Sequence, residues 1–249
     1  MTEQENINLV KIPQPFGDRH ISDVERETSD QINSAGLALQ KGAKIGIAVG
    51  SRGINNLARI VKATVTSLTE RGAEPFIIPA MGSHGGATAE GQREVLERYG
   101  VTEEYVGAPI VSSMEVVQVQ APDMDVPVYM DKHAWNSDGV VLINRIKAHT
   151  DYQGHPESGL MKMVVIGLGK HAQALAIHSL GITGLKERIA PVSRILFNTG
   201  KILLGIGLVE NAYDETMVIE AMKPEDIEKR EKELLKISRE NMPSLPLDD

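Results

Sequence analysis

Short apolar runs rich in β-branched residues alternate with stretches of helical period, and this rhythm restricts the fold more than any other feature of the chain. Residues 44–50 (KIGIAVG) and 74–81 (EPFIIPAM) read as strands buried on both faces. Residues 23–41 before them read as a helix, with Ser22 as N-cap and Gly42 as stop. Between them, Ile54, Leu57, Ala58, Val61, Val65 and Leu68 recur at helical spacing and end at Gly72. Thr88 then caps a helix that reaches about Tyr99 and stops at Gly100. Such alternation predicts a mostly parallel, Rossmann-like α/β sheet flanked by helices.

The middle of the chain adds a different signal. Residues 115–120 (EVVQVQ) and 126–131 (VPVYMD) alternate around a PDMD turn, which predicts a hairpin or edge strands. Residues 139–144 (GVVLIN) form another apolar strand, followed by a polar loop, RIKAHTDYQGHPESG. From Leu160 to about Leu180 the chain is apolar and helical, interrupted by Gly167 and Gly169, and a further helix is expected over 185–197. Residues 202–210 and 216–222 predict an additional antiparallel strand pair. Pro224 at the first position of a last helix, with Glu225 and Asp226 in its first turn, suits the helix dipole. We expect one α/β domain over 1–240 and, in the proline-bearing 241–249, a linker to a second domain absent from this chain.

Charge and composition narrow the partners. Twenty-six basic against 34 acidic residues give a net charge of −8, which argues against nucleic acid as a partner. There is no cysteine, hence no disulfide, thiolate metal site or cysteine nucleophile. A polar N-terminus and the lack of any apolar run near the ~20 residues of a membrane span lead us to expect a cytoplasmic protein with no membrane partner.

Ligands of parallel α/β sheets bind beyond the carboxyl ends of the strands. Three strand ends here carry a cationic or titratable residue within small-residue loops: Gly50-Ser51-Arg52-Gly53, Gly82-Ser83-His84-Gly85-Gly86, and Asn144 to Asp151 with Arg145, Lys147 and His149. The first loop is compatible with a plain βα turn, or with an Arg52 fork and Ser51 hydroxyl holding an anion. The uncovered imidazole of His84 suits a general acid/base or a metal ligand. Lys162 lies in the apolar GLMKMVVIGLGK, where a lysine snorkels, or else serves as a desolvated amine open to covalent attachment. His178 follows in ALAIHSLG, where a core histidine and a metal ligand are both compatible readings. Lys170, His155 and His171 carry no comparable context.

Taken together, PAMGSHGGATAEGQREVLERYG, RIKAHTDYQGHPESGLMKMVVIGLGK and IHSLG resemble the N-terminal domain of nickel-pincer lactate racemases, and the similarity runs from about residue 44 to 209. The resemblance implies an isomerase that racemises or epimerises a small 2-hydroxy acid. It also implies a nicotinate-derived pincer nucleotide joined through a thioamide to Lys162, nickel on that cofactor with His178 as the protein's ligand, and cofactor-maturation enzymes as partners. His84 and His149 would be the acid/base pair that takes and returns the hydroxyl proton while the α-hydride visits the pincer carbon. Arg52, assisted by Ser51, would hold a substrate or cofactor anion. Family members have a second α/β domain closing the cleft, so a chain lacking it can be inactive by itself. Two readings from other classes stand beside this one: a non-catalytic anion- or nucleotide-binding domain, and a histidine-based metal hydrolase. Neither requires an amine at Lys162.

Overall fold

The computed structural model describes residues 11, 13–51, 53–149, 154 and 156–243. Its main sheet has the strand order β2-β1-β5-β6-β7, built from β1 (Lys44–Val49), β2 (Glu74–Pro79), β5 (Gly139–Arg145), β6 (Ile202–Glu210) and β7 (Thr216–Met222). The first four run parallel, and β7 pairs antiparallel with β6. A separate antiparallel pair joins β3 (Val116–Val119) to β4 (Val128–Asp131), the hairpin expected from the alternating segments.

Period-2 alternation sends each strand's side chains to two cores. Ile45, Ile47, Val141 and Ile143 pack with α1 (Val24–Ser34) and α2 (Leu57–Glu70), whereas Ala48, Val140 and Leu142 pack on the opposite face. That second face is covered by the run from α6 (Leu160–Lys162) through α7 (Lys170–His178) and α8 (Gly181–Asn198) to α9 (Pro224–Asn241). α9 lies close on β6 because Gly205 and Gly207 present no side chain: a Cβ at Gly205 would come within 2.9 Å of Ile227, and one at Gly207 within 3.3 Å of Leu234.

Two helices differ from expectation. α1 ends at Ser34 rather than Lys41, since Gly36 adopts φ +65° directly after the Ala35 C-cap and ends the helix as Gly at this position does. Its N-cap is Asp23, whose carboxylate accepts the Arg26 N–H at 3.1 Å, and not Ser22. α8 begins at Gly181 and continues through Pro191. Among the described residues no single helix is long and apolar enough to cross a membrane; the apolar run 160–178 is bent by 106° at its break and packs inside the domain.

Candidate functional site

The chain passes from β1 outward to β2 on one side, and later returns to β5 on the other. The crevice between the carboxyl ends of β1 and β5 is therefore the point where strand order reverses, the place where open α/β sheets bind ligands. A cleft of about 90 Å³ lies there. Its walls include Gly50 and Ser51 after β1, His84 after β2, Asn144 at the end of β5, and Lys162 and Gly167 of the bent helical run.

His84 is exposed at the rim, and its Nδ1 lies 2.5 Å from the Ser51 hydroxyl. The loop carrying His84 is fixed from beneath. Gln92, wholly buried on α3 (Ala89–Arg98), donates its amide to the carbonyls of Gly82 (2.8 Å) and His84 (3.3 Å). The Gln92 carbonyl accepts in turn from the Lys170 ammonium at 3.3 Å. Lys170 is fully buried, donates also to the Pro79 carbonyl, and pairs with the equally buried Asp131 at 3.3 Å. Burial pulls the Lys170 pKa below the ordinary lysine value, and Asp131 opposes that shift.

Lys162 stands on the opposite wall, half-buried, at the junction of α6 with a π-helical turn over Met163–Gly167. The widened turn closes through the Leu168 N–H to the Met163 carbonyl at 2.9 Å; single π turns recur at functional sites. The N-cap of α6 is Gly159, whose missing side chain makes room for Glu231 of α9, since a Cβ there would meet the Glu231 carboxyl at 2.4 Å. Glu231 accepts the N–H groups of Leu160 (2.6 Å) and Met161 (3.0 Å), the free donors of the helix start. Complete burial raises its pKa to about 7, partly offset by those two hydrogen bonds.

His178, at the end of α7, is exposed at its edge. Desolvation by its surroundings, and then the Lys162 positive charge, hold its pKa below the usual imidazole value. Lys162 and His178 thus sense each other electrostatically. His149 is half-buried on the loop between β5 and α6. This loop is pinched at its neck by paired backbone hydrogen bonds between Lys147 and Ser158, at 2.9 and 3.3 Å. Lys147 and Ser158 line the cleft, while His149 lies beyond them. Arg52 falls outside the described residues.

Of the residues singled out from sequence, Ser51, His84 and Lys162 share one cleft. His178 is coupled to it by charge, and His149 sits past its rim. Sequence reasoning missed Gln92, Lys170 and Glu231, which hold the site from behind. Only Lys170 left a trace, a lysine after the interrupted helix at Gly167 and Gly169. Among the described residues no three His, Asp or Glu side chains converge as a metal cage.

A family model described as the lactate racemase N-terminal domain matches residues 29–189, more than half of the chain. No curated protein matches it. Among solved structures, the lactate racemase apoprotein from Thermoanaerobacterium thermosaccharolyticum is similar, with TM-score 0.60 and 14% identity. The likeness covers 86% of this chain and 55% of that one, so the chain spans little more than half the length of the relative it resembles in fold.

Proposed function

Since the chain belongs to the lactate racemase N-terminal domain family, we propose that it is the cofactor-binding and catalytic half of a nickel-pincer 2-hydroxy-acid racemase or epimerase. The observation that carries this reading is the meeting of Ser51, His84 and Lys162 in one cleft at the strand switch, with His178 within electrostatic reach of Lys162.

The residues present fit the group. Lys162 offers an amine at the edge of a cleft whose floor, at Gly50 and Gly167, has no side chains; a Cβ at Gly167 would lie 2.7 Å from the Ala80 carbonyl oxygen. A pincer that supplies most of the metal's ligands asks the protein for a single further donor, and His178 is an exposed imidazole held toward its neutral, ligating form. When bound, the cofactor supplies the acceptor that takes and returns the substrate's α-hydrogen with its electron pair.

The chain's own residues do the remaining work. His84 Nε2 removes the hydroxyl proton as the hydrogen leaves, and returns it when the hydrogen comes back. Ser51 suits that two-way task. Its hydroxyl can donate to Nδ1 or accept from it, so it holds the ring in either tautomer, whereas a carboxylate would favour only one. His149 serves the opposite face of the substrate, and Arg52 binds an anionic group. Arg145 also lines the cleft, with its guanidinium paired to Glu210.

The test is intact mass, nickel content and racemisation rate of the complete protein after co-expression with the maturation enzymes. Lys162→Ala should abolish the added mass and the nickel together. His178→Ala should keep the covalent adduct but weaken nickel, and His84→Ala should keep both while turnover falls by roughly 10²–10⁴-fold. Retention of nickel and activity in Lys162→Ala would replace this reading with the anion-binding domain or the metal hydrolase.

A further inference from the structure

One helix remote from the cleft reaches both sides of the loop that separates His149 from Lys162. Glu157, within that loop, is wholly buried as a side chain, and both of its oxygens are spent on geometry. Oε2 accepts the His149 backbone N–H at 2.8 Å; Oε1 accepts the Gly154 N–H at 2.7 Å and the guanidinium of Arg239, near the end of α9. Two turns earlier on the same helix, Glu231 binds the Leu160 and Met161 N–H groups that start the helix bearing Lys162. The two anchors, Glu231 and Arg239, are separated by about 12 Å of helix axis at 1.5 Å per residue.

We propose that α9 is the ruler of the site: Arg239 is a positioning residue for His149, acting through Glu157, and Glu231 is a positioning residue for Lys162. The inference rests on the reading of His149 and Lys162 given above. A loop staple alone does not need a buried carboxylate, because an apolar contact would hold a loop without the desolvation that a buried charge costs. A carboxylate bonded to the N–H of one particular residue fixes that residue's backbone. Arg239 is 44% exposed as a side chain, so its replacement opens no cavity in the core, although it leaves the buried Glu157 with only its backbone donors.

The test uses the full chain without cofactor, in four forms: wild type, Arg239→Met, Arg239→Lys and Glu157→Gln. The readouts are amide hydrogen exchange and the nuclear magnetic resonance of the His149 amide and imidazole. Arg239→Met should lower protection of the His149 amide by about tenfold or more, the loss expected for one charge-assisted hydrogen bond, and should move its imidazole resonances. Arg239→Lys should restore most of both, and Glu157→Gln, whose NH2 must face a donor on one side or the other, should lower protection at least as far as Arg239→Met. The idea is overturned if Arg239→Met leaves the His149 signals unchanged. It is equally overturned if Arg239→Lys fails as badly as Arg239→Met while melting temperature falls in parallel, since that pattern describes a structural staple only. These signals need no cofactor, so a failure to load Lys162 would refute the functional reading and leave this result standing.

Discussion

The stretch from Leu160 to Lys170 is held at its two ends by opposite solutions to one problem. At its start a buried carboxylate, Glu231, faces two backbone N–H groups, has no salt-bridge partner among the described residues, and leaves Oε1 without a hydrogen bond. At its end a buried ammonium, Lys170, has both a carboxylate and a carbonyl to answer it. Both groups are fully inside, yet only one charge is compensated. The uncompensated end is the one beside Lys162. The end beside Lys162 is tied down by a group able to lose its charge near neutral pH, and the end behind it by a buried ion pair.

Breaking the locked pair should produce the largest effect. Lys170→Met strands Asp131, and unfolding in urea should show a loss of about 3–5 kcal/mol. Adding Asp131→Asn, which keeps an acceptor for the Ala134 N–H, should recover most of that loss. If the double variant is as unstable as the single, the pair is not what holds this end.

Glu231→Gln probes the other end. The native carboxyl has a pKa of about 7 against 4.5 unfolded, so it favours the protonated form. Relative to a neutral side chain, its contribution is best below pH 4.5 and is progressively lost as pH rises to about 7. At 1.36 kcal/mol per unit the penalty above pH 7 is at most about 3.4 kcal/mol. Stability of Glu231→Gln minus wild type should therefore climb between those pH values and then level off. A flat difference would mean that Glu231 is solvated and that the two ends are alike.

The smallest effect concerns the half-buried lysine. Lys162→Met should change global stability by no more than about 0.5 kcal/mol, as surface substitutions do. It should nonetheless raise the His178 pKa, read by nuclear magnetic resonance titration, because one of the two causes that depress it is the Lys162 charge. The desolvation that comes first among those causes remains, so the shift back is partial. An unmoved His178 would separate the two residues and weaken the case for a shared cofactor.

The strand ends and the loops they carry were legible because buried strands and glycine-rich turns are local signals. The β1, β2 and β5 runs, the hairpin of β3 and β4, and Pro224 at the start of α9 each follow from a few adjacent residues. What stayed hidden depends on partners far away in the chain. Lys162 stands out in sequence because its neighbours are apolar, yet it is Lys170 that is fully buried, and Asp131 and Gln92, its partners, are distant along the chain. Glu157 sits among polar loop residues and gives no hint that it is interior until Arg239 is folded against it. Gly36 ends α1 ahead of Gly42, the stop that the sequence predicts.

The paired hydrogen bonds between Lys147 and Ser158 have a consequence for engineering and for divergence. A loop tied at its neck can change length at its tip without moving the strand and helix that enter and leave it. Doubling the length of such a loop costs only about 0.6 kcal/mol of closure entropy. The number of residues between a histidine on this loop and Lys162 is then a free variable rather than a signature. A loop of different length and side-chain chemistry, grafted between Lys147 and Ser158, would change what fits above the cleft while the amine of Lys162 keeps its place.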